Sequence, residues 1–276
     1  MRIRLGHSPD PDDAFMFWGL ASGQVDPRGF EFEHILEDIQ TLNDWALEGR
    51  LEVTALSLHT YPFVQDRYVL LPHGASMGAG YGPIVVSREP LTRDDLREVE
   101  IAVPGRMTTA FLVLKLFLGG GFRFREVPFD LIMDEVSAGR SAAGLLIHEG
   151  QLTYETHHLR RLVDLGEWWL LETGLPLPLG VNVARRDLGE ENLHELSAVL
   201  HESIAAGLSS RDEALAYALQ YGRGLDLGLA DRFVGMYVNE LTEDYGEEGR
   251  QAVQELLRRG ELAGAFSAPV RLEFVS

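Results

Sequence analysis

The sequence predicts an α/β protein of two lobes with a ligand cleft between them. The chain has 276 residues, of which 45% are hydrophobic, and this is enough apolar material for two cores of ordinary size. Short apolar runs alternate with helical patterns through the first part of the chain, which is typical of α/β proteins. The C-terminal part shows helical periodicity alone. Its helices therefore need a sheet formed earlier in the chain to pack against.

The elements follow one another in a regular order. Short apolar runs bounded by Gly or Pro predict strands over residues 3–5, 30–35, 53–58, 83–87, 101–103 and 143–147. Amphipathic runs predict helices over residues 14–21, 38–47, 108–118 and 130–138, and three consecutive glycines end the third of these. Four further helices are predicted over residues 191–208, 211–221, 230–237 and 247–259.

Charge and cysteine content exclude several classes of function. The chain has 24 Lys and Arg against 43 Asp and Glu, a net charge of −19, which repels nucleic acids and anionic membranes. It has no cysteine, so a disulfide, a thiolate metal site and a cysteine nucleophile are excluded. The N-terminal apolar run is too short for a signal peptide and no run is long enough to span a membrane, so we expect a cytoplasmic protein.

Two polar residues lie where open α/β sheets bind their ligands. Ser57 and His148 each stand at the carboxyl end of a predicted strand, and each strand follows a helix that ends in Gly-Arg. If the two lobes face each other, these residues line opposite walls of one cleft. His148 is either a structural residue or a general base, for which an unperturbed pKa near 6.5 is suitable. We favour the general base.

The loop 8–10 joins the first strand to the first helix. Ser8 resembles a hydrolase nucleophile, but Pro9 has no backbone N–H to stabilise an oxyanion, which excludes that role. Asp10, Asp12 and Asp13 could bind Mg²⁺ or Ca²⁺. Acidic residues and a proline are equally typical of a helix N-terminus, so we predict no metal site. Because the loop follows a strand, we expect Ser8 and Asp10 to contact the ligand.

A second loop predicts an anion site. Thr108 and Thr109 follow Gly105 between a strand and a helix, where hydroxyl groups, free backbone N–H groups and the helix dipole attract a carboxylate or a phosphate. The alternative is simple capping of the helix by a threonine. The run Gly78-Ala-Gly80-Tyr-Gly82 leads into a strand instead of a helix, so it does not predict a dinucleotide site. We therefore expect a small anionic ligand.

Several of these motifs occur together in one known family. The sequence resembles the 1,4-dihydroxy-6-naphthoate synthases of the futalosine route to menaquinone over nearly its whole length. The matching stretches are Ser8-Pro-Asp-Pro-Asp-Asp13, Leu36-Glu-Asp, Thr41-Leu-Asn, Ala46-Leu-Glu-Gly-Arg50, Val103-Pro-Gly-Arg, Thr108-Thr-Ala, Ile147-His-Glu149, Val163-Asp-Leu-Gly and Thr173-Gly-Leu-Pro-Leu-Pro-Leu-Gly180.

The resemblance implies a fold and an activity. The fold is that of type II periplasmic binding proteins, with lobe one over residues 1–88 and 178–276 and lobe two over residues 89–177. The activity is conversion of cyclic dehypoxanthine futalosine to 1,4-dihydroxy-6-naphthoate, with loss of a sugar-derived fragment and without a cofactor. His148 matches the proposed base of the family. Ser57, Thr108 and Thr109 match positions that would hold oxygen groups of a carboxylate-bearing substrate.

The sequence departs from the family pattern in the first loop. Asp10 and Asp12 stand where that pattern has Cys and Asn. Two added carboxylates near an anionic substrate would each cost about 1 kcal/mol per close pair. A related enzyme of the same fold, such as a chorismate dehydratase, and a non-catalytic binding protein for a small anion therefore stay open as alternatives. The sequence also leaves a homodimer open.

Overall fold

The computed structural model describes residues 1–221 and 226–276, which form two β-sheets surrounded by helices. The strands, in chain order, are β1 (Arg2–His7), β2 (Glu31–Leu36), β3 (Val53–Ser57), β4 (Tyr68–Leu70), β5 (Ser76–Gly78), β6 (Ile84–Ser87), β7 (Glu100–Val103), β8 (Arg123–Glu126), β9 (Ala143–Leu146), β10 (Arg160–Asp164) and β11 (Leu177–Arg185).

The helices lie between these strands and, in the C-terminal part, follow one another directly. They are α1 (Pro11–Met16), α2 (Trp18–Ala21), α3 (Ile39–Glu48), α4 (Tyr61–Val64), α5 (Arg93–Glu98), α6 (Thr109–Leu118), α7 (Ile132–Ser137), α8 (Gly150–Thr153), α9 (Leu165–Thr173), α10 (Glu190–Ser209), α11 (Arg211–Ala218), α12 (Leu227–Tyr237), α13 (Glu240–Glu243) and α14 (Gly246–Leu262).

The first sheet combines strands from distant parts of the chain. Its order is β2-β1-β3-β11-β4, and β5 also pairs with β11. Strand β1 runs parallel to β2 and β3, whereas β11 runs antiparallel to β3, β4 and β5. Because β11 comes after every strand of the second sheet in the chain, the polypeptide leaves the first sheet after β5 and returns to it with β11.

The second sheet has the order β10-β6-β9-β7-β8. Strand β6 is antiparallel to β9 and β10, and β7 is parallel to β8 and β9. The strand Ile84–Ser87 thus belongs to the second sheet, although the predicted limit of lobe one at residue 88 lies after it. The lobe limits at residues 88 and 178 stay a prediction.

The C-terminal helices cover the first sheet. Leu200 and Ile204 of α10 and Val234 of α12 share one buried cluster with Ile3 and Leu5 of β1. Burial of this apolar surface is what holds the helices in place, because each buried aliphatic side chain contributes about 1.5–3 kcal/mol. No helix in the described residues combines the length and the apolarity needed to span a membrane.

The structure differs from the sequence prediction in some elements. The helix predicted over residues 14–21 is interrupted at Phe17, whose φ of −98° and ψ of 6° separate α1 from α2. Strands β8 and β10 were not predicted. Both lie at an edge of the second sheet and contain exposed arginines, so neither shows the continuous apolar run of a buried strand.

Candidate active site

Residues that follow strands of both sheets meet at a cavity of about 710 Å³, its open mouth included. Ser8 and Ser57 line it from the first sheet. His148, shortly after β9, and Thr108 and Thr109, at the start of α6, line it from the second. The structure thus brings five of the predicted site residues to one cavity.

His148 forms an ion pair within this cavity. Its Nδ1 atom lies 3.0 Å from an Oδ2 atom of Asp10, and its side chain is 17% exposed. Burial lowers the pKa of His148, but the charge and hydrogen bond of Asp10, followed by the charges of Glu149 and Asp12, outweigh burial and raise the pKa to about 9. The backbone of His148 is left-handed, with φ at 53°, an uncommon conformation for a residue other than glycine.

Asp10 contacts residues that line the cavity but does not line it itself. It occupies the N-cap position of α1, but its side chain makes no capping hydrogen bond. The carboxylate instead contacts His148 and accepts a hydrogen bond from the Ser8 hydroxyl. Asp10 is 1% exposed and is not among the residues that line the cavity. Asp10 contacts two residues that line the cavity, Ser8 and His148, and its predicted contact with the ligand stays a prediction.

Two further carboxyl groups, those of Asp12 and Asp13, line the cavity. Each residue is 8% exposed. Burial and then the charge of Asp10 raise the pKa of Asp12 to about 6. Burial and then the charge of Asp12 raise the pKa of Asp13 well above its usual value, although Asp13 accepts the Ser8 N–H at 2.7 Å. Both carboxyl groups therefore hold their protons more strongly than exposed aspartates do.

Ser57 is held in place by Asn43 of α3. The Asn43 amide nitrogen donates to the Ser57 hydroxyl oxygen at 3.0 Å, and the Asn43 amide oxygen accepts the Ser57 backbone N–H at 2.8 Å. Both residues are buried. Because the hydroxyl oxygen of Ser57 already accepts a bond, its proton is available to a ligand oxygen in the cavity.

The hydroxyl groups of Thr108 and Thr109 form hydrogen bonds within the protein. Thr108 caps α6 by accepting the Phe111 N–H at 3.2 Å, and the Thr109 hydroxyl donates to the Leu179 carbonyl at 2.6 Å. The expected anion site therefore depends on the backbone. The first N–H groups of α6, those of Thr109 and Ala110, have no acceptor within the helix and point to its N-terminal end. The helix dipole gives that end a partial positive charge.

Two other predictions concern metals and dinucleotides. Within residues 1–221 and 226–276, no three His, Asp or Glu side chains are grouped so that they could hold a metal ion. The absence of a metal and of a cofactor stays a prediction. The glycine-rich run 78–82 forms the turn between β5 and β6, where a Cβ atom on Gly78 would collide with the carbonyl oxygen of Tyr81. Gly78 is therefore needed for this turn.

Sequence reasoning missed several polar residues of the site. Asn43 belongs to the matching stretch Thr41-Leu-Asn, but no function was predicted for it. Ser76, Gln151 and Tyr237 line the cavity from segments in which no ligand contact was predicted. Asn182 also lines it, from the middle of β11. The last residue could have been found, because a single amide between Val181 and Val183 in an apolar strand is an uncommon pattern.

Comparison with known proteins identifies relatives over the whole chain. Residues 3–262 match the sequence profile of the family described as "Menaquinone biosynthesis". The chain is 44% identical over 273 residues to the 1,4-dihydroxy-6-naphthoate synthase of Thermus thermophilus, with 99% of each protein covered. It is 37% identical over 271 residues to the enzyme of the same name from Streptomyces coelicolor, with 96% of this chain and 95% of the relative covered.

Solved structures agree with these relationships. Protein AF1704 from Archaeoglobus fulgidus superposes with a TM-score of 0.91 at 46% identity, covering 95% of this chain and 98% of the other. A Candida albicans protein with the periplasmic-binding-protein fold has a TM-score of 0.71 at 12% identity, covering 98% and 92%. The alkanesulfonate-binding protein from Xanthomonas axonopodis has a TM-score of 0.72 at 12% identity, covering 99% and 96%. These last two show the fold alone. The predicted two-lobed α/β fold of the periplasmic-binding-protein type is confirmed, and the chain belongs to the menaquinone biosynthesis family.

Proposed function

We propose that this protein is a 1,4-dihydroxy-6-naphthoate synthase of the lyase class that acts in the cytoplasm. The observation that carries the proposal is the ion pair of His148 with Asp10 at a cavity, in a chain 44% identical to an enzyme of that name. The proposed substrate is cyclic dehypoxanthine futalosine, which bears a carboxylate. The proposed products are 1,4-dihydroxy-6-naphthoate and a sugar-derived fragment, formed without a cofactor.

The N-terminal end of α6 holds the substrate carboxylate in this proposal. The backbone N–H groups of Thr109 and Ala110 supply donors, and the dipole of a helix of 10 residues favours the negative charge. Ser57, which also lines the cavity, donates its hydroxyl proton to an oxygen of the substrate. These contacts hold the reacting carbon in one orientation, and such positioning supplies a large part of enzymatic rate enhancement.

His148 removes a proton from a carbon atom of the substrate. The electron pair of the broken C–H bond forms a carbon–carbon double bond as the bond to the sugar-derived fragment breaks. The fragment leaves with the electron pair of that bond and takes up the proton held by His148. The carboxylate of Asp10, 3.0 Å from Nδ1, stabilises the imidazolium that forms and leaves Nε2 for the substrate. Because Asp10 outweighs burial and raises the pKa of His148 to about 9, the imidazole is mostly protonated at pH 7. The reaction should therefore accelerate as pH rises toward 9.

Closure of the two lobes is part of the proposed mechanism. The cavity is lined by Ser57 of the first sheet and by Thr109 and His148, which follow strands of the second. Movement of one sheet toward the other would bring base and substrate together and expel water. Exclusion of water strengthens the electrostatic contacts at the carboxylate and at the imidazolium.

The test is incubation of the purified protein with cyclic dehypoxanthine futalosine, followed by mass analysis of the product. We expect 1,4-dihydroxy-6-naphthoate from the wild-type protein. The variant His148→Asn should lower turnover by about 10²–10⁴-fold. His157→Asn is the matched control, because His157 also lies near an aspartate, Asp134, but on the surface. Its turnover should equal that of the wild type.

The same assay separates the alternatives. Turnover of chorismate with no turnover of the futalosine compound would identify a dehydratase-like relative. Tight binding of the compound and its recovery unchanged would identify a binding protein without chemistry. A His148→Asn variant as active as the wild type would reject the proposed base.

A further inference from the structure

The side-chain oxygen of one buried amide at the cavity, that of Asn182, has no hydrogen-bond partner among the described residues. Asn182 is 3% exposed, lines the cavity and donates from its amide nitrogen to the Gly74 carbonyl at 3.0 Å. Within the described residues, its Oδ1 atom accepts no hydrogen bond. Exchange of the two amide atoms would set the oxygen against the Gly74 carbonyl, so the assignment is fixed. A buried acceptor of this kind is unfavourable unless a ligand or water satisfies it.

Other side chains that line the same cavity offer both acceptors and donors. The Tyr237 hydroxyl donates to the Gln151 amide oxygen at 2.7 Å, so the hydroxyl oxygen can accept a bond and the Gln151 amide nitrogen can donate one. The Ser76 hydroxyl lies 3.4 Å from an oxygen of Asp12. All of these residues line the same cavity.

This mixture of groups fits hydroxyl groups better than an ammonium group or a metal ion. A hydroxyl both donates and accepts, whereas an ammonium group only donates. Burial, followed by the charge of Asp10, raises the pKa of Asp12 and weakens its carboxylate as a partner for a cation. In the described parts of the chain, no metal-binding group of side chains was found.

The strand register shows how Asn182 and Ser76 are placed relative to Ser57. Gly180 of β11 lies opposite Ser57 of β3 on one side and opposite Ser76 of β5 on the other. Ser57 and Ser76 are thus separated by two strand spacings, about 10 Å. Asn182 lies two residues along β11 from Gly180 and therefore on the same face of the sheet. Ser57, Ser76 and Asn182 are therefore spread over one face of this sheet, and all three line the cavity.

We infer that Asn182, Asp12, Gln151 and Tyr237 form a subsite for a polyhydroxylated, sugar-like part of the ligand. Asn182 Oδ1 and the Tyr237 oxygen accept from the ligand hydroxyls, and the Gln151 amide donates to them. The inference rests on the proposed function in one respect, since both place the substrate in this cavity. It adds which residues bind the hydroxyl groups of that substrate.

Three five-carbon carboxylates test the inference by calorimetry on the intact protein. D-Ribonate carries hydroxyl groups, pentanoate carries none, and 5-aminopentanoate carries an ammonium group. We expect D-ribonate to bind at least 10-fold more tightly than pentanoate and 5-aminopentanoate no more tightly than pentanoate. Equal affinity for D-ribonate and pentanoate, no detectable binding of either, or tightest binding of the amine would overturn the inference.

Variants test which residues cause the preference for D-ribonate. Asn182→Leu should reduce the preference for D-ribonate over pentanoate to less than 3-fold. Tyr237→Phe should reduce this preference partly, and it provides the test if Asn182→Leu does not fold. Ser57→Ala should weaken both ligands while keeping their ratio. A full preference in Tyr237→Phe together with a full preference in folded Asn182→Leu would contradict the assignment.

The outcomes separate this inference from the proposed function. Turnover of the futalosine compound without a preference for D-ribonate would reject the subsite alone. A clear preference for D-ribonate without any turnover would reject the proposed function alone.

Discussion

The Nδ1 atom of His148, which follows the second sheet, lies 3.0 Å from the carboxylate of Asp10, which follows β1 of the first sheet. This single ion pair joins the strand ends of the two sheets. It also fixes which nitrogen of the imidazole is held by the protein, because Nδ1 faces the carboxylate.

Asp10→Asn is expected to lower the pKa of His148 and to lower the maximal rate that is reached at high pH. An amide keeps the shape of the side chain but removes the charge that outweighs burial and raises the pKa of His148 to about 9. The midpoint of the pH–rate profile should fall by more than one pH unit, and the maximal rate should fall by about 10–100-fold. Asp134→Asn, beside the surface residue His157, is the control. An unchanged midpoint in Asp10→Asn would contradict the argument.

Asn43→Ala is expected to weaken substrate binding through Ser57. Loss of the Asn43 amide removes the two hydrogen bonds that orient Ser57. The buried backbone N–H of Ser57 is then left without its partner, which costs about 1–3 kcal/mol. Substrate affinity should fall about 10-fold while the pH midpoint stays that of the wild type. The control is Asn192→Ala, which removes a similar amide bond to the Leu188 carbonyl away from the cavity. Equal effects of the two variants on affinity would show that Asn43 acts only on stability.

The positions of Ser57 and His148 were predictable because continuous apolar runs locate the buried strands that precede them. The alternation of strands and helices also predicted the α/β class. The contacts of these residues were not predictable from one sequence. Asn43 reaches Ser57 only because α3 packs beside β3, and Asp10 reaches His148 only because the two sheets face each other. Such pairings depend on tertiary packing between segments distant in the chain.

The threonine pair shows a different limit of the sequence. The spacing correctly placed Thr108 and Thr109 at a helix N-terminus. It could not show that the Thr109 hydroxyl donates to the Leu179 carbonyl of β11, since that contact forms only when β11 returns to the first sheet. An anion bound at this helix end would therefore depend on backbone N–H groups, which every residue except proline provides.

Asp12→Asn is expected to stabilise the fold at alkaline pH. Burial and the charge of Asp10 raise the pKa of Asp12 from 3.8 to about 6. A pKa raised on folding contributes stability that is complete below 3.8 and is lost as pH rises through about 6. The free energy of unfolding at pH 8 should rise by roughly 1–3 kcal/mol in Asp12→Asn and change little at pH 4. Urea denaturation at both pH values measures this.

Asp212→Asn, which changes an exposed carboxyl group in the first turn of α11, is the control for this effect. Its free energy of unfolding should change by less than about 0.5 kcal/mol at either pH. A loss of stability in Asp12→Asn at pH 8 would show that the ionised carboxylate, through its attraction to His148, stabilises the fold.

Glu52→Gln is expected to destabilise the protein at neutral pH and to lose this effect in acid. Glu52 accepts the Arg4 backbone N–H at 3.0 Å and two guanidinium N–H groups at 2.9 and 2.7 Å, and Arg185 lies 3.4 Å away. Burial raises the pKa of Glu52, but its bonds to Arg4 outweigh burial and lower the pKa from 4.5 to about 2. A pKa lowered on folding contributes stability that is complete above pH 4.5 and is lost as pH falls through about 2.

The expected loss in Glu52→Gln at pH 7 is roughly 1–2 kcal/mol, less than the pKa shift alone implies, because Arg4 is partly exposed and solvent screens the pair. Urea denaturation between pH 7 and pH 3 should show the difference from wild type shrinking once pH falls below 4.5. Glu33→Gln removes an exposed partner of Arg2 and should change stability by less than about 0.5 kcal/mol. A difference for Glu52→Gln that stays constant over this pH range would assign the effect to packing, because only an ionised carboxylate gives the pair its dependence on pH.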